Sequence, residues 1–293
     1  MDENGRLNIT EVPYRPAAGV PPGAEVLDFA ALPVRALGHG VDPYAPLRPT
    51  FHHLITVHSG TMGCCVDFVE YVVNEGTWLW VLPGQILQFL DDLTSTAGTV
   101  VIFEPGFLGR PTTAGVARPI GVDTLITPGA ADADALQATL DLLTSEYRHL
   151  GALPLEVQTK VVRYLLSVLV LRLAHLGSNH GVPDPGSEVF GRFREAVELG
   201  FSRTHRVEDY AIDLSYNVRT ISRATHAAAG RGAKQFIDER VLLEAKRLLV
   251  HTDLSATAIG DRLGFPGPTV FTRFFRRLTG YTPGEFRNRA RAR

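Results

Sequence analysis

Cysteine is nearly missing from this 293-residue chain: there are two, Cys64 and Cys65, and they are adjacent. Neighbouring cysteines are poorly placed for a disulfide that staples a fold, and on a strand their thiols point to opposite faces. They read as reduced strand residues, and a vicinal redox switch is the minor alternative. Long apolar runs are also lacking. The most apolar stretch, Tyr164 to Leu176, is too short for a bilayer and contains Arg172. Met1-Asp2-Glu3 has neither the basic nor the apolar region of a secretory signal. The expectation is a cytoplasmic protein with no membrane partner. A dominant charge is lacking too, since the net charge is −2, but the balance is uneven along the chain. Residues 1–187 hold 10 Lys and Arg against 19 Asp and Glu, whereas residues 188–293 hold 19 against 12. Only the second part is suited to a polyanion, and DNA, RNA and an anionic membrane all meet that description.

What is present suffices for two domains with separate cores, given a hydrophobic content of 45%. Residues 1–23, rich in Pro and Gly, read as a flexible arm. Short apolar runs then alternate with turn signals: Phe51–His58, Met62–Val73, Thr77–Leu82, Gln85–Leu90 and Thr99–Phe103. Strands at this spacing imply an antiparallel barrel or sandwich. From Asp132 the pattern becomes helical, with one helix to Leu150 and another from Leu155 to Leu176, so that residues 24–177 form one domain. In the second helix Val162, Leu166, Leu169, Leu173 and Leu176 are spaced 4, 3, 4, 3, a seam that packs against the barrel or against a second copy of the chain. Residues 178–187 have the composition of a linker.

Residues 188–293 repeat themselves with a period of fifty. Ile221 matches Phe271, Arg223 matches Arg273, Gly230 matches Gly280 and Phe236 matches Phe286. Such a repeat implies two copies of one supersecondary unit. In the first, Val207, Tyr210, Ala211 and Leu214 form the stripe of one helix, and Asn217 is a cap for a second from Val218 to Ala229. In the second, Ala256, Ile259, Gly260 and Leu263 form the stripe, Gly264-Phe265-Pro266-Gly267 turns the chain, and Phe271, Phe274, Phe275 and Leu278 fill the apolar face of the next helix. Each copy is a helix-turn-helix candidate. The opposite faces carry Arg219, Thr220, Ser222 and Arg223, and Thr269, Thr272, Arg273 and Arg276. Hydroxyls and guanidiniums are the groups that contact phosphates and base edges in a major groove; a merely solvated helix face is the plainer reading, which two basic faces in register argue against. Lys234 to Val250 reads as a connecting helix of roughly 25 Å.

With these residues in view, residues 188–293 resemble the AraC/XylS family of transcription regulators. "DERVLLEAKRLL" is similar to the family's connecting helix, and "IGDRLGFPGPTVFTRFFRRLTGYTPGEFR" to its signature. The resemblance implies two helix-turn-helix subdomains, promoter binding to double-stranded DNA, and RNA polymerase as a further partner. It assigns base reading to Arg219, Ser222, Arg223, Thr269, Thr272 and Arg273. Three positions depart from the pattern: Thr225 stands where an aromatic is common, Gly260 where Ala is usual, and Pro268 where a polar contacting residue is frequent.

The run "FHHLITVHSGTMGCCVDFVEYVVNEGTWLWVLPGQILQF" resembles, more weakly, the strands of a cupin-like sensor. The fold class expected is therefore α+β: an N-terminal cupin-like antiparallel β-barrel with a helical hairpin, followed by an all-α domain. Cupin metal sites need three or four convergent ligands. His39, His52, His53 and His58 include no His-x-His pair, and Leu87 stands where a later ligand is expected, so neither a metal nor another cofactor is read here. His53, Trp78 and Trp80 are the candidates for lining an apolar pocket for a small organic effector. Two alternatives stay open: an effector-independent DNA-binding regulator, and a cupin enzyme with a DNA-binding tail, which the missing ligands disfavour. A homodimer is the expected assembly.

Overall fold

The computed structural model describes residues 10–16, 21–109, 124–149, 153–177 and 185–291. The chain divides into two compact units near residue 180. The linker expected at 178–187 lies largely outside the described residues.

The first unit is built on two five-stranded sheets. In one the order is β1 (Thr10–Val12), β3 (Leu47–Pro49), β8 (Leu87–Phe89), β5 (Thr61–Val66) and β6 (Val69–Asn74). In the other it is β10 (Leu125–Ile126), β7 (Trp78–Val81), β4 (His52–Ser59), β9 (Ala97–Phe103) and β2 (Ala24–Asp28). The described part of the expected arm is not loose, because Thr10–Val12 pairs in parallel with Leu47–Pro49. The run Met62–Val73 is not continuous either. A two-residue turn, Asp67-Phe68, breaks it into β5 and β6, with φ of 50° and 72°. Such hairpin turns need positive φ and favour Gly or Asn, so this pair carries no strong turn signal. The Asp67 carboxylate fixes it by accepting from the Ile86 N–H at 3.1 Å and the Gln85 side chain at 2.8 Å.

Strand alternation gives the second sheet two apolar faces. Ile55, Val57, Leu79, Val81, Val100 and Ile102 pack against Met62, Cys64, Val66, Leu87 and Phe89 of the first sheet. On the other face Leu54, Trp78, Trp80, Val101 and Phe103 are covered by α2 (Ala130–Arg148) and α3 (Leu155–Gly177). This arrangement corrects one expectation, the pocket-lining place of the tryptophans, and decides between the two alternatives open for the helical seam. Trp78 and Trp80 do not line a space between the sheets; they lie on the helix side, 3% and 0% exposed. The seam of Val162, Leu166, Leu169 and Leu173 is fully buried in the same cluster, with Leu176 packed against it, so it faces the subunit's own sheet rather than a partner. The helix nonetheless has a second stripe. Val157, Tyr164, Val168 and Leu171 face outward, Tyr164 at 69% exposure. A short helix, α1 (Ala31–Gly38), brings Arg35 onto Glu25 of β2, Nη2 to Oε1 at 2.7 Å.

The second unit comprises α4 (Pro185–Gly200), α5 (Val207–Asp213), α6 (Val218–Ala229), α7 (Ala233–His251), α8 (Ala256–Arg262), α9 (Pro268–Thr279) and α10 (Pro283–Arg291). Helices α4 and α10, absent from the sequence reading, complete its two cores. Phe193 of α4 meets Tyr210 and Phe236 with ring centroids 5.8 and 5.7 Å apart. Phe271, Phe275 and Phe286 form the equivalent chain at 6.0 and 5.3 Å. The fifty-residue period thus reproduces a core, with Phe236 and Phe286 closing one copy each.

Candidate nucleic-acid interface

Each copy ends its second helix in the same manner. Gly230 and Gly280 take φ of 67° and 80° and return their N–H groups to His226 and Arg276, the left-handed cap that glycine adopts without steric cost. At the other end, the Asn217 side chain accepts from the Thr220 N–H at 2.7 Å and so starts α6. Helix α9 starts on Pro268, whose missing N–H and fixed φ suit a first helical position. That geometry explains one departure from the family pattern. The other two have equally local causes. A Cβ on Gly260 would sit 3.0 Å from the Phe271 Cβ where α8 crosses α9. Thr225 is fully buried and returns its hydroxyl to the Ile221 carbonyl at 2.8 Å, so its one polar group is satisfied within the helix.

Amphipathic packing sorts the faces. Ile221, Ala224 and Thr225 of α6, and Phe271 and Phe275 of α9, turn inward. Arg219 and Arg223 are exposed on α6 with Thr220 and Ser222 half-buried beside them; on α9 Thr269, Arg273 and Arg276 are exposed and Thr272 half-buried. The structure therefore brings the sequence candidates onto one outer face of each second helix.

The arginines of this unit divide by what they touch. Arg240 bridges Glu198 at 2.7 Å and Glu244 at 3.3 Å, and Arg247 also reaches Glu244 at 3.1 Å. Arg277 holds Asp238 at 3.1 Å, tying α9 to the connecting helix. Arg287 and Arg291 donate to the carbonyls of Leu249 and Val250 at the end of α7. These side chains are struts. Arg219, Arg223, Arg273 and Arg276 make no ion pair among the described residues. Arg262 at the end of α8 is exposed in the same way, but it lies on the first helix of its copy, where no repeated basic face marks it in the sequence. Unpaired guanidiniums on a convex helical face are free to meet phosphates or the bidentate edge of guanine. The connector α7 has 19 residues, about 28 Å at the helical rise, against roughly 34 Å between successive major grooves.

The histidines of the first unit do not converge. His52 and His53 lie on opposite faces of β4. His52 accepts from Trp80 Nε1 at 3.3 Å and stacks on Phe103, and burial pushes its pKa down to about 4. His53 faces the other sheet, stacks on Phe51 at 4.9 Å and is pushed by burial to about 3. His58 pairs with Thr99 at 2.8 Å. Leu87 is buried between the sheets. Among the described residues no three His, Cys, Asp or Glu side chains are grouped to hold a metal. An open cleft of about 590 Å³ lies elsewhere, between α2 and the strand ends, with His58, Thr99, Asp141 and Arg148 in its walls. No described helix is long and apolar enough to cross a membrane.

Comparison with known proteins bears on the second unit. Residues 210–289 match the family model described as a helix-turn-helix domain. An uncharacterized HTH-type transcriptional regulator, YisR of Bacillus subtilis, is 30% identical over 106 residues, 36% of this chain and 37% of that protein. The HTH-type transcriptional activator RhaS of an Enterobacter species is 34% identical over 91 residues, 31% of this chain and 33% of the relative. The chain thus spans about a third of the length of these relatives. Among solved structures, the DNA-binding domain of the global transcriptional factor AdpA, in complex with a target DNA, is 30% identical with a TM-score of 0.33, covering 38% of this chain and 96% of that one. Residues 210–289 are a helix-turn-helix domain of the kind carried by transcription regulators.

Proposed function

We propose that the chain is a cytoplasmic transcription regulator of the AraC/XylS family that reads a two-part site in double-stranded DNA, with α6 in one major groove and α9 in the next. The division of the arginines carries this reading. A purely structural basic domain would engage its guanidiniums internally, as Arg240, Arg277 and Arg287 are engaged. Here four exposed arginines on equivalent helix faces make no ion pair among the described residues, Arg276 alone standing near a carboxylate, that of Glu285. RNA polymerase is a further partner of such a regulator.

The first unit is proposed as a cupin-like sensor for a small organic effector. Trp78 and Trp80 no longer support that role, but His53 does. Its Nδ1 is buried without a hydrogen-bond partner among the described residues, as is the Tyr14 hydroxyl, and both rings pack on Phe51. Unmet buried polar atoms cost about 1–3 kcal/mol each, which a ligand group bonding to them would offset. Homodimerisation is assigned to the outward stripe of α3. Val157, Tyr164, Val168 and Leu171 recur at 7, 4 and 3 residues on a face that two-fold pairing would cover.

The DNA-binding reading is tested by incubating the full chain with a pool of random double-stranded DNA and sequencing what it retains. Enrichment of two short motifs about one helical turn apart is expected. Retention without sequence enrichment would reduce the domain to a nonspecific polyanion binder and refute the proposal.

A further inference from the structure

Two rigid bodies joined by one helix keep their separation but not their relative twist, because the rod can bend or rotate at its ends. The two helix-turn-helix copies are joined by α7, and a second contact lies away from it. The loop between α4 and α5 in the first copy reaches the turn between α8 and α9 in the second. His205 Nε2 donates to the Leu263 carbonyl at 2.8 Å. Its ring packs 4.5 Å from Phe265 and lies near-parallel to Phe274 at 6.4 Å. Gly264, at φ 77°, approaches so closely that a Cβ there would stand 2.3 Å from the Ser202 carbonyl oxygen. That position admits only glycine, for both space and conformation.

The loop is itself held by the first copy. Tyr210 Oη donates to the Thr204 carbonyl at 3.0 Å, the Thr204 hydroxyl bonds Asp209, and Arg203 pairs with Asp213 at 2.9 Å. A fixed point of the first core is thereby bonded to the turn that launches α9. Phe274, which the imidazole overlies, directly follows Arg273. Burial holds the His205 pKa below its ordinary value, and because the Leu263 oxygen can only accept, the bond requires the hydrogen on Nε2.

We propose that His205 is a positioning residue for DNA reading: its bond to Leu263 and its packing on Phe265 and Phe274 lock the twist between α6 and α9, and so set the spacing between the two half-motifs the protein accepts. The proposal rests on α6 and α9 both reading DNA. His205 itself need touch no nucleotide.

The experiment uses the full chain and the two-part duplex it selects from random DNA, together with duplexes in which one or two base pairs are inserted or removed between the half-motifs. Each inserted pair turns one half-motif by about 35° relative to the other, so wild-type affinity should fall about tenfold or more with one step. His205→Ala and His205→Asn, whose side chains cannot reach Leu263, should bind the best spacing about tenfold more weakly and discriminate spacings less than about threefold. Their affinity for an isolated half-motif should be unchanged, with wild-type circular dichroism. His205→Gln, whose amide nitrogen can reach Leu263, should restore much of the spacing preference. A folded His205→Ala or His205→Asn with the wild-type spacing profile would overturn the proposal. If wild type enriches only one half-motif, the two-helix reading falls first, and this inference with it.

Discussion

Arg273→Ala should weaken binding to the selected operator about ten- to hundredfold while changing binding to random duplex much less, since a bidentate arginine–guanine pair discriminates by about 1–3 kcal/mol. The side chain is exposed on α9 and meets no carboxylate among the described residues, so its removal should leave folding intact. Four residues on, Arg277 supplies an internal control with the same charge on the same helix. It is committed to Asp238, which Lys234 also engages. Arg277→Ala should therefore cost about 1 kcal/mol of stability, because Arg277 is exposed and Lys234 stays paired with the buried Asp238 carboxylate, and alter operator preference little. Paired binding isotherms and urea melts of the two variants check this. Equal losses on operator and random DNA for Arg273→Ala would make it a phosphate contact rather than a reader of bases.

Changing Tyr164 and Leu171 together to Glu should convert a dimer into a folded monomer, with a loss of about 100-fold for DNA carrying two copies of the operator. Both side chains lie on the outward stripe of α3, at 69% and 47% exposure, and beside Leu171 a cleft of about 250 Å³ is lined by Leu136 and Leu176. The contrasting pair, Leu166 and Leu169 to Glu, should unfold the first unit. Those residues are fully buried against the sheet, and an unpaired buried charge costs several kcal/mol against a typical domain stability of about 5–15 kcal/mol. Light scattering with circular dichroism separates the outcomes. A folded dimer after Tyr164→Glu with Leu171→Glu would exclude this face as the interface.

The orientation of α3 shows why spacing was a limited guide. The helix has two apolar stripes, Val162–Leu166–Leu169–Leu173 and Val157–Tyr164–Val168–Leu171, and periodicity alone cannot say which of them meets the sheet. The tryptophans were misplaced for a related reason. β7 is buried along its whole length, so no polar residue marks a solvent face from which the inner side could be inferred. By contrast α6 and α9 were legible almost to their ends, because each is apolar on one side only and is closed by a glycine. Helix α4 is hard to read from sequence although Phe190, Phe193 and Val197 form an inward stripe, because it follows directly on a Pro- and Gly-rich stretch and neither copy of the repeat includes it. The hairpin at Asp67-Phe68 depends on a carboxylate bonded to residues 85 and 86, a distant contact that local sequence does not announce.

If α6 and α9 each read bases in a major groove, both should shield guanine N7 atoms on the selected operator. Dimethyl sulfate modifies that atom from the major groove, where an arginine bonded to guanine shields it. Wild type should protect two groups of guanines about ten base pairs apart on one face of the duplex. Arg223→Ala should expose one group and Arg273→Ala the other. Protection that survives in both variants, or a bound duplex with every guanine N7 still reactive, would mean that these two helices do not read bases in the major groove.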